Sequence, residues 1–152
     1  LMPKASVKRL IECKKDQLID LVLDIEKYPE FVPFCLGSHV YEKNLEGDKT
    51  LIIADLTIGK GPFKDTYKSD VLYNKQESSI RVKNIDGPLN HLLNKWSFIE
   101  QNNQTEVIFD IDFEIKNKFL NTVMEASFQF GIEKIADAFQ KRAENLFSYT
   151  KN

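Results

Sequence analysis

The strongest structural signal in this sequence is the stretch VIFDIDFEI at residues 107–115. Its odd-numbered positions are all apolar, while Asp110, Asp112 and Glu114 occupy even-numbered positions. Such alternation predicts an antiparallel β-strand with one buried face and one wet face, because successive side chains of a strand point to opposite sides. We therefore expect a sheet whose charged face is solvated and whose apolar face must be covered.

The predicted cover is a long helix that follows directly, over residues 118–147. Apolar residues recur there with a period near 3.6: Leu120, Val123, Met124, Phe128, Ile132, Ile135, Phe139, Ala143 and Leu146. A helix of ~30 residues spans on the order of 45 Å, enough to cross a whole sheet. Gly131 inside it costs about 1 kcal/mol relative to alanine. The alternative is a helix that starts later, after a short helical turn near 118–125.

The rest of the chain is predicted to supply one strand, one helix and then a run of about six strands. Residues 5–12 indicate the first strand, and an apolar stripe over residues 16–26 indicates the helix. From about residue 38 to 115 the pattern is β, with a hairpin turn predicted at Gly47-Asp48. Strands in series followed by a helix favour an α+β fold, in which a curved antiparallel sheet is covered by the terminal helix.

Length and composition predict one domain over residues 1–152. Eleven Phe and five Tyr supply much ring surface for a core or a ligand. The net charge of −2 lacks the basic excess of a DNA-binding domain. Two cysteines do not make a disulfide framework and favour a reducing compartment. We also expect neither a membrane-spanning helix nor a secretory signal.

A second informative segment is YPEFVPFC at residues 28–35. Its two prolines exclude regular helix and central strand, so we expect a rigid loop that carries aromatic rings. The loop either gates a cavity or packs its rings into the core, and the sequence leaves both interpretations open. In either case Phe31 and Phe34 are predicted to contact the terminal helix or the pocket.

The segment at 28–35 resembles the signature that follows the first helix in the coenzyme Q-binding family of START-domain proteins. That family also contains the bacterial ribosome association toxin, and its members are often described as polyketide cyclase/dehydrase-like. Further stretches agree in order and spacing: Asp86-Gly87-Pro88-Leu89 with Trp96-Ser97-Phe98, Phe113-Glu114-Ile115, and Ala138-Phe139 with Arg142-Ala143. The resemblance covers about residues 4–148. The sequence departs from the pattern at Phe34, where Trp is common, and at Asn90-His91.

The resemblance implies a helix-grip fold with a lipophilic pocket, no cofactor, and a role in delivering ubiquinone or a related prenyl quinone for respiration or biosynthesis. It implies transient membrane contact, and a place in the bacterial cytoplasm, at the inner membrane face, or on the mitochondrial matrix side. Two alternatives stay open: a ribosome-directed protein that blocks subunit association, and a polyketide cyclase or aromatase. No acid–base pair is identifiable, so we expect no enzymatic activity.

The candidate ligand-contacting residues are rings on the inward strand faces, rings of the 28–35 loop and one face of the terminal helix. They are Phe31, Phe34, Phe63, Tyr67, Trp96, Phe98, Phe109, Phe113, Val123, Met124, Phe128 and Ile132. For any single ring, plain core packing is the competing interpretation. Arg142 lies one step from the apolar stripe, so it meets a polar head group or an acidic partner, or it is a surface charge.

Other reactive side chains lack the spacing that a site would need. Asp110, Asp112 and Glu114 share the wet face of one strand, which is typical of solvation rather than of metal binding. His39 and His91 have no ligand spacing with each other or with the cysteines. We therefore expect neither a zinc site nor a nucleophilic triad.

Overall fold

The computed structural model describes residues 4–147, without the side chains of Lys60 and Phe63. Eleven elements follow one another along these residues. They are β1 (Lys4–Ile11), α1 (Lys15–Leu23), a 3-10 helix (Ile25–Glu30), β2 (Cys35–Glu46), β3 (Lys49–Lys60), β4 (Phe63–Asn74), β5 (Ser79–Asp86), β6 (Leu89–Gln101), β7 (Gln104–Ile115), α2 (Lys118–Glu125) and α3 (Phe128–Phe147).

The seven strands form one antiparallel sheet in the order β1-β7-β6-β5-β4-β3-β2. Strands β2 to β7 follow one another as a meander, and β1 joins the free edge of β7. The predicted α+β architecture is confirmed: a curved antiparallel sheet grips the C-terminal helix. Residues 28–35, expected as an irregular loop, begin inside the 3-10 helix, which contains Pro29.

The predicted faces of β7 are confirmed. Phe109 and Phe113 are buried on the concave side of the sheet, and Asp110 is exposed on the other side. In the neighbouring strand β6, Trp96 is the register partner of Phe109, and its ring lies 4.5 Å from that of Phe109. Cross-strand ring pairs of this kind hold the register, since a slip by one residue would expose every ring.

Helix α3 lies on the concave face of the sheet. Its buried residues recur at the helical period: Phe128, Ile132, Ala136, Phe139 and Ala143. The ring of Phe128 lies 4.6 Å from that of Phe113, and the ring of Phe139 lies 5.0 Å from that of Trp96. The terminal helix therefore covers the ring-rich strand faces, as the sequence predicts.

The prediction of one continuous helix over 118–147 is wrong, and the alternative with an earlier short helix is confirmed. Helix α2 ends before Ala126 and α3 begins at Phe128. The break changes which side faces the domain, because the inward residue of α2 is Asn121, whose Oδ1 accepts a hydrogen bond from the Ile115 N–H at 3.1 Å. Val123 and Met124 consequently lie on the surface, so the expectation that they share the inward face of Phe128 is wrong.

Candidate functional site

Residues 28–35 dock on α3 through their rings. The Phe31 ring meets the Phe139 ring edge to face at 5.1 Å, and the Tyr28 ring meets it in the same way at 5.4 Å. Trp96 contacts the same phenylalanine from the sheet side. The predicted contact of Phe31 with the terminal helix is thus confirmed. We call this group of four rings, Tyr28, Phe31, Trp96 and Phe139, the aromatic seam.

Backbone and hydroxyl hydrogen bonds hold the segment in place. The Tyr28 hydroxyl donates to the Val22 carbonyl at the end of α1, and the Val32 N–H donates to the Tyr28 carbonyl at 2.8 Å. The Gly59 N–H donates to the Phe34 carbonyl at 2.9 Å, which ties the segment to β3. Phe34 has a φ of 68°, a left-handed conformation that disfavours a side chain. The segment is therefore fixed at both ends.

Arg142 pairs with the segment from α3. Its Nη2 donates to Glu30 Oε1 at 2.8 Å, and its guanidinium carbon lies 5.0 Å from the Phe31 ring centroid. The hydrogen bond from Arg142 lowers the pKa of the Glu30 carboxyl. Arg142 therefore pairs with an acidic residue of the same chain, and its contact with a head group or with a partner molecule stays a prediction.

The polar groups inside the site keep their protons at neutral pH. Burial raises the pKa of the Tyr28 hydroxyl and of the Tyr67 hydroxyl. Burial also raises the pKa of the Cys35 thiol, and raises that of Cys13 to about 11. These groups can donate hydrogen bonds, but they are poor bases and poor nucleophiles.

The interior between the sheet and α3 is closely packed. The cavity bordered by Trp96, Phe109, Ala136 and Phe139 has a volume of about 10 Å³. Pockets that bind drug-sized ligands have volumes of roughly 300–1,000 Å³, so this interior must expand before it can hold one. A larger open depression of about 340 Å³ lies on the other face of the sheet, where charged walls such as Asp70, Arg81 and Lys83 do not suit an apolar ligand.

The structure gathers half of the candidate residues around the covered face. Buried on that face are Trp96, Phe98, Phe109, Phe113, Phe128 and Ile132. Phe31 and Tyr67 pack against this core at its margin, and Phe34 is half-buried. Val123 and Met124 lie outside it, and the side chain of Phe63 is outside the described part of the structure.

Sequence reasoning missed three members of the site: Tyr28, Glu30 and Phe139. Tyr28 and Glu30 stand in the 28–35 motif, and Phe139 stands in the apolar stripe of the terminal helix, so a signal existed for each. The sequence does not show that Tyr28 contacts Phe139 or that Glu30 pairs with Arg142, because each pair joins positions more than a hundred residues apart.

The acidic residues of β7 lie on the solvent-facing side of the sheet, as expected. Asp110 accepts a hydrogen bond from the Ser6 hydroxyl at 2.6 Å, and Asp112 lies 3.7 Å from both Lys4 Nζ and His91 Nε2.

Over residues 4–147, both cysteines are buried and unpaired. Across the same stretch, the helices fall short of the length and apolar character that a membrane span requires.

The chain belongs to the family described as polyketide cyclase / dehydrase and lipid transport, whose model matches residues 11–140. It is 33% identical over 135 residues to the mitochondrial coenzyme Q-binding protein COQ10 of Dictyostelium discoideum, covering 87% of this chain but only 64% of that protein. It is 29% identical over 141 residues to the ribosome association toxin RatA of Rickettsia prowazekii, covering 91% of this chain and 94% of that protein. These names describe binding and regulatory proteins.

Solved structures share the fold. The solution structure of an 18 kDa protein from Caulobacter crescentus is 28% identical, with a TM-score of 0.78 over 95% of this chain and 98% of the other. A START superfamily protein from Mycobacterium smegmatis, 18% identical, also has a TM-score of 0.78, over 94% and 98% of the two chains. The fold is therefore the START-like helix-grip fold.

Proposed function

We propose that this protein binds ubiquinone or a related prenyl quinone between the concave face of the sheet and α3, and delivers it for respiration or biosynthesis. The observation that supports the proposal most is the aromatic seam. At the seam, side chains and not continuous backbone separate the ring-lined interior from solvent. Because a prenyl tail is as apolar as the rings, it can replace their contacts without exposing apolar surface to water.

Entry of a ligand would begin at the seam. The ion pair between Glu30 and Arg142 is solvent-exposed, and such pairs add little stability. Phe31 is only half-buried, so its contact with Phe139 can be exchanged without opening the core. Outward movement of the Phe31 side chain would open a path toward Trp96 and Phe109.

The same margin would orient a quinone ring. Quinone carbonyl oxygens accept hydrogen bonds, and the Tyr67 hydroxyl stays protonated because burial raises its pKa. Arg142 Nε is buried and, within the described residues, has no hydrogen-bond partner. We therefore propose the head-group role for Tyr67 and Arg142, with the tail under α3.

Native mass spectrometry of freshly isolated protein tests this proposal. The expected result is an additional bound mass that matches a prenyl quinone, and organic extraction should recover the same quinone. Lipid-free protein should also take up ubiquinone from vesicles that contain it. Clean extracts together with no uptake would reject the proposal.

A ribosome-directed role is the second candidate, favoured by one observation. The match to the Rickettsia toxin covers 94% of that protein, whereas the match to the coenzyme Q-binding protein covers 64% of its length. The net charge of −2 weighs against it, because ribosomal RNA attracts basic proteins. Sucrose gradients with added protein decide: loss of the 70S peak supports this role, and an unchanged profile removes it.

A polyketide cyclase activity ranks last among the candidates. Cyclisation needs a base to remove a proton from the substrate. Tyr28, Tyr67 and Cys35 all retain their protons, and Glu30 is already held by Arg142.

Delivery of quinone requires transient contact with a membrane, so we place the protein in the bacterial cytoplasm or at the inner membrane face, or on the matrix side of a mitochondrion.

A further inference from the structure

Helix α2 presents its apolar side outward. Phe119, Val123 and Met124 have exposed fractions of 71%, 53% and 36%, whereas the buried residue of this helix is the polar Asn121. At 3.6 residues per turn, the apolar positions cover an arc of about 140°. An amphipathic helix on a protein surface normally turns this arc toward the core, so the orientation of α2 is reversed.

The reversal is held by specific hydrogen bonds. Asn121 Oδ1 accepts from the Ile115 N–H at 3.1 Å, and the Lys116 N–H donates to the Pro88 carbonyl at 2.8 Å. The Asn117 side chain caps the helix by accepting from the Leu120 N–H at 3.1 Å. Two of these bonds thus tie the helix to the end of the sheet with its apolar arc facing away, and the third caps its first turn.

Basic residues stand beside the exposed rings. Lys118 directly precedes Phe119, Lys116 lies two residues before Lys118, and both lysines are exposed. At the start of α3, Phe130 is also exposed, and Lys134 Nζ lies 5.0 Å from its ring centroid. Rings that lie next to lysines suit the interface of a bilayer with anionic headgroups, where rings enter the acyl boundary and ammonium groups remain in the headgroup layer.

We propose that α2 is the surface by which this protein docks on an anionic phospholipid bilayer. The small size of this surface favours a bilayer over a protein as the partner. A stable protein–protein interface needs about 800 Å² per partner, and one short helix offers far less. A bilayer needs only a few inserted side chains. The inference rests on the proposed function, because quinone cargo must be taken from a membrane. The position of α2 suits this role, since the turn at 126–127 joins it to Phe128, whose ring packs on Phe113 in the interior.

Flotation with phosphatidylcholine vesicles, with and without phosphatidylglycerol, tests the proposal in the full-length chain. The variant is Phe119→Ser, and its matched control is Leu45→Ser, because Leu45 is 75% exposed and lies at the opposite end of the sheet. We expect the wild type and the control to float with the anionic vesicles, and Phe119→Ser to bind about tenfold more weakly. The double variant Phe119→Ser/Val123→Ser should bind more weakly still.

A second measurement separates docking from quinone binding. A short-chain ubiquinone analogue, added without any membrane, should bind equally to the wild type and to all three variants. Absence of analogue binding in every protein would reject the quinone proposal while vesicle binding still tests α2. Docking through α2 is overturned if the wild type ignores anionic vesicles or if Leu45→Ser loses as much binding as Phe119→Ser. It is also overturned if the α2 variants dissociate a dimer or lose ribosome binding with vesicle binding unchanged.

Discussion

Phe31 and Phe139 meet edge to face, with ring centroids 5.1 Å apart and an interplanar angle of 84°. One ring belongs to the segment after the 3-10 helix, and the other belongs to the helix that covers the sheet. This contact is where the segment and the cover meet, so it separates the interior from solvent.

Replacing Phe31 with alanine should speed ligand exchange more than it destabilises the fold. The ring is half-buried, so we expect a loss of about 1–2 kcal/mol in the free energy of unfolding, less than for a core phenylalanine. Urea unfolding measures the loss, and release of bound quinone to empty vesicles measures exchange. Leu45→Ala is the control, since this side chain is exposed on β2, away from the seam and from α2, and should change neither quantity. Unchanged exchange in Phe31→Ala would remove the seam as the entrance.

Glu30→Gln should destabilise the protein at neutral pH and have no effect at low pH. The hydrogen bond from Arg142 lowers the pKa of Glu30 below its ordinary value of 4.5. A carboxyl with a depressed pKa contributes stability that is present above the unfolded pKa and is lost as the pH falls through the folded pKa. The difference in melting temperature between the two proteins should therefore shrink below pH 4.5 and then vanish. A difference that persists in acid, or that is undiminished in the Arg142→Gln background where only Lys27 still pairs with Glu30, would contradict this assignment.

Trp96 should report ligand entry by its fluorescence. It is the single tryptophan of the chain, it is buried, and its ring lies 5.0 Å from that of Phe139. A quinone bound under α3 would lie within contact range and quench the emission, whereas iodide in solution would quench it weakly. A titration with a short-chain ubiquinone analogue checks this. Saturating quench at constant iodide accessibility is expected, and analogue binding without quench would move the site away from the seam.

Val123→Lys and Ile132→Lys should have opposite effects on folding. Val123 is exposed on α2, so a lysine there should leave the melting temperature and the binding of a soluble quinone analogue unchanged. Ile132 is buried on the inward side of α3, where an unpaired charge should cost more than about 4 kcal/mol and unfold the protein. Thermal melting by circular dichroism distinguishes the two. If Val123→Lys unfolds the chain, the outward orientation of α2 is wrong.

The sequence by itself determined the sheet and the side of it that is buried. Alternation at 107–115 requires Phe109 and Phe113 to share a face opposite Asp110, because the period of a strand is two whatever surrounds it. The 3.6-residue period likewise identified the inward side of α3, where Phe128, Ile132 and Phe139 are buried. The aromatic motif at 28–35 marked the segment that contacts the terminal helix. These features are local, so local patterns are sufficient to predict them.

Only the tertiary structure decided which way α2 faces and what closes the site. An apolar stripe shows that a helix is amphipathic, but it does not say where the stripe points. In α2 the anchoring of the helix to the end of the sheet decides it, since Asn121 satisfies the N–H of Ile115 and the Lys116 N–H donates to the Pro88 carbonyl. The pairing of Glu30 with Arg142 depends in the same way on the path of the chain between them. Contacts between distant positions follow from how the elements pack, and no local period in the sequence records that packing.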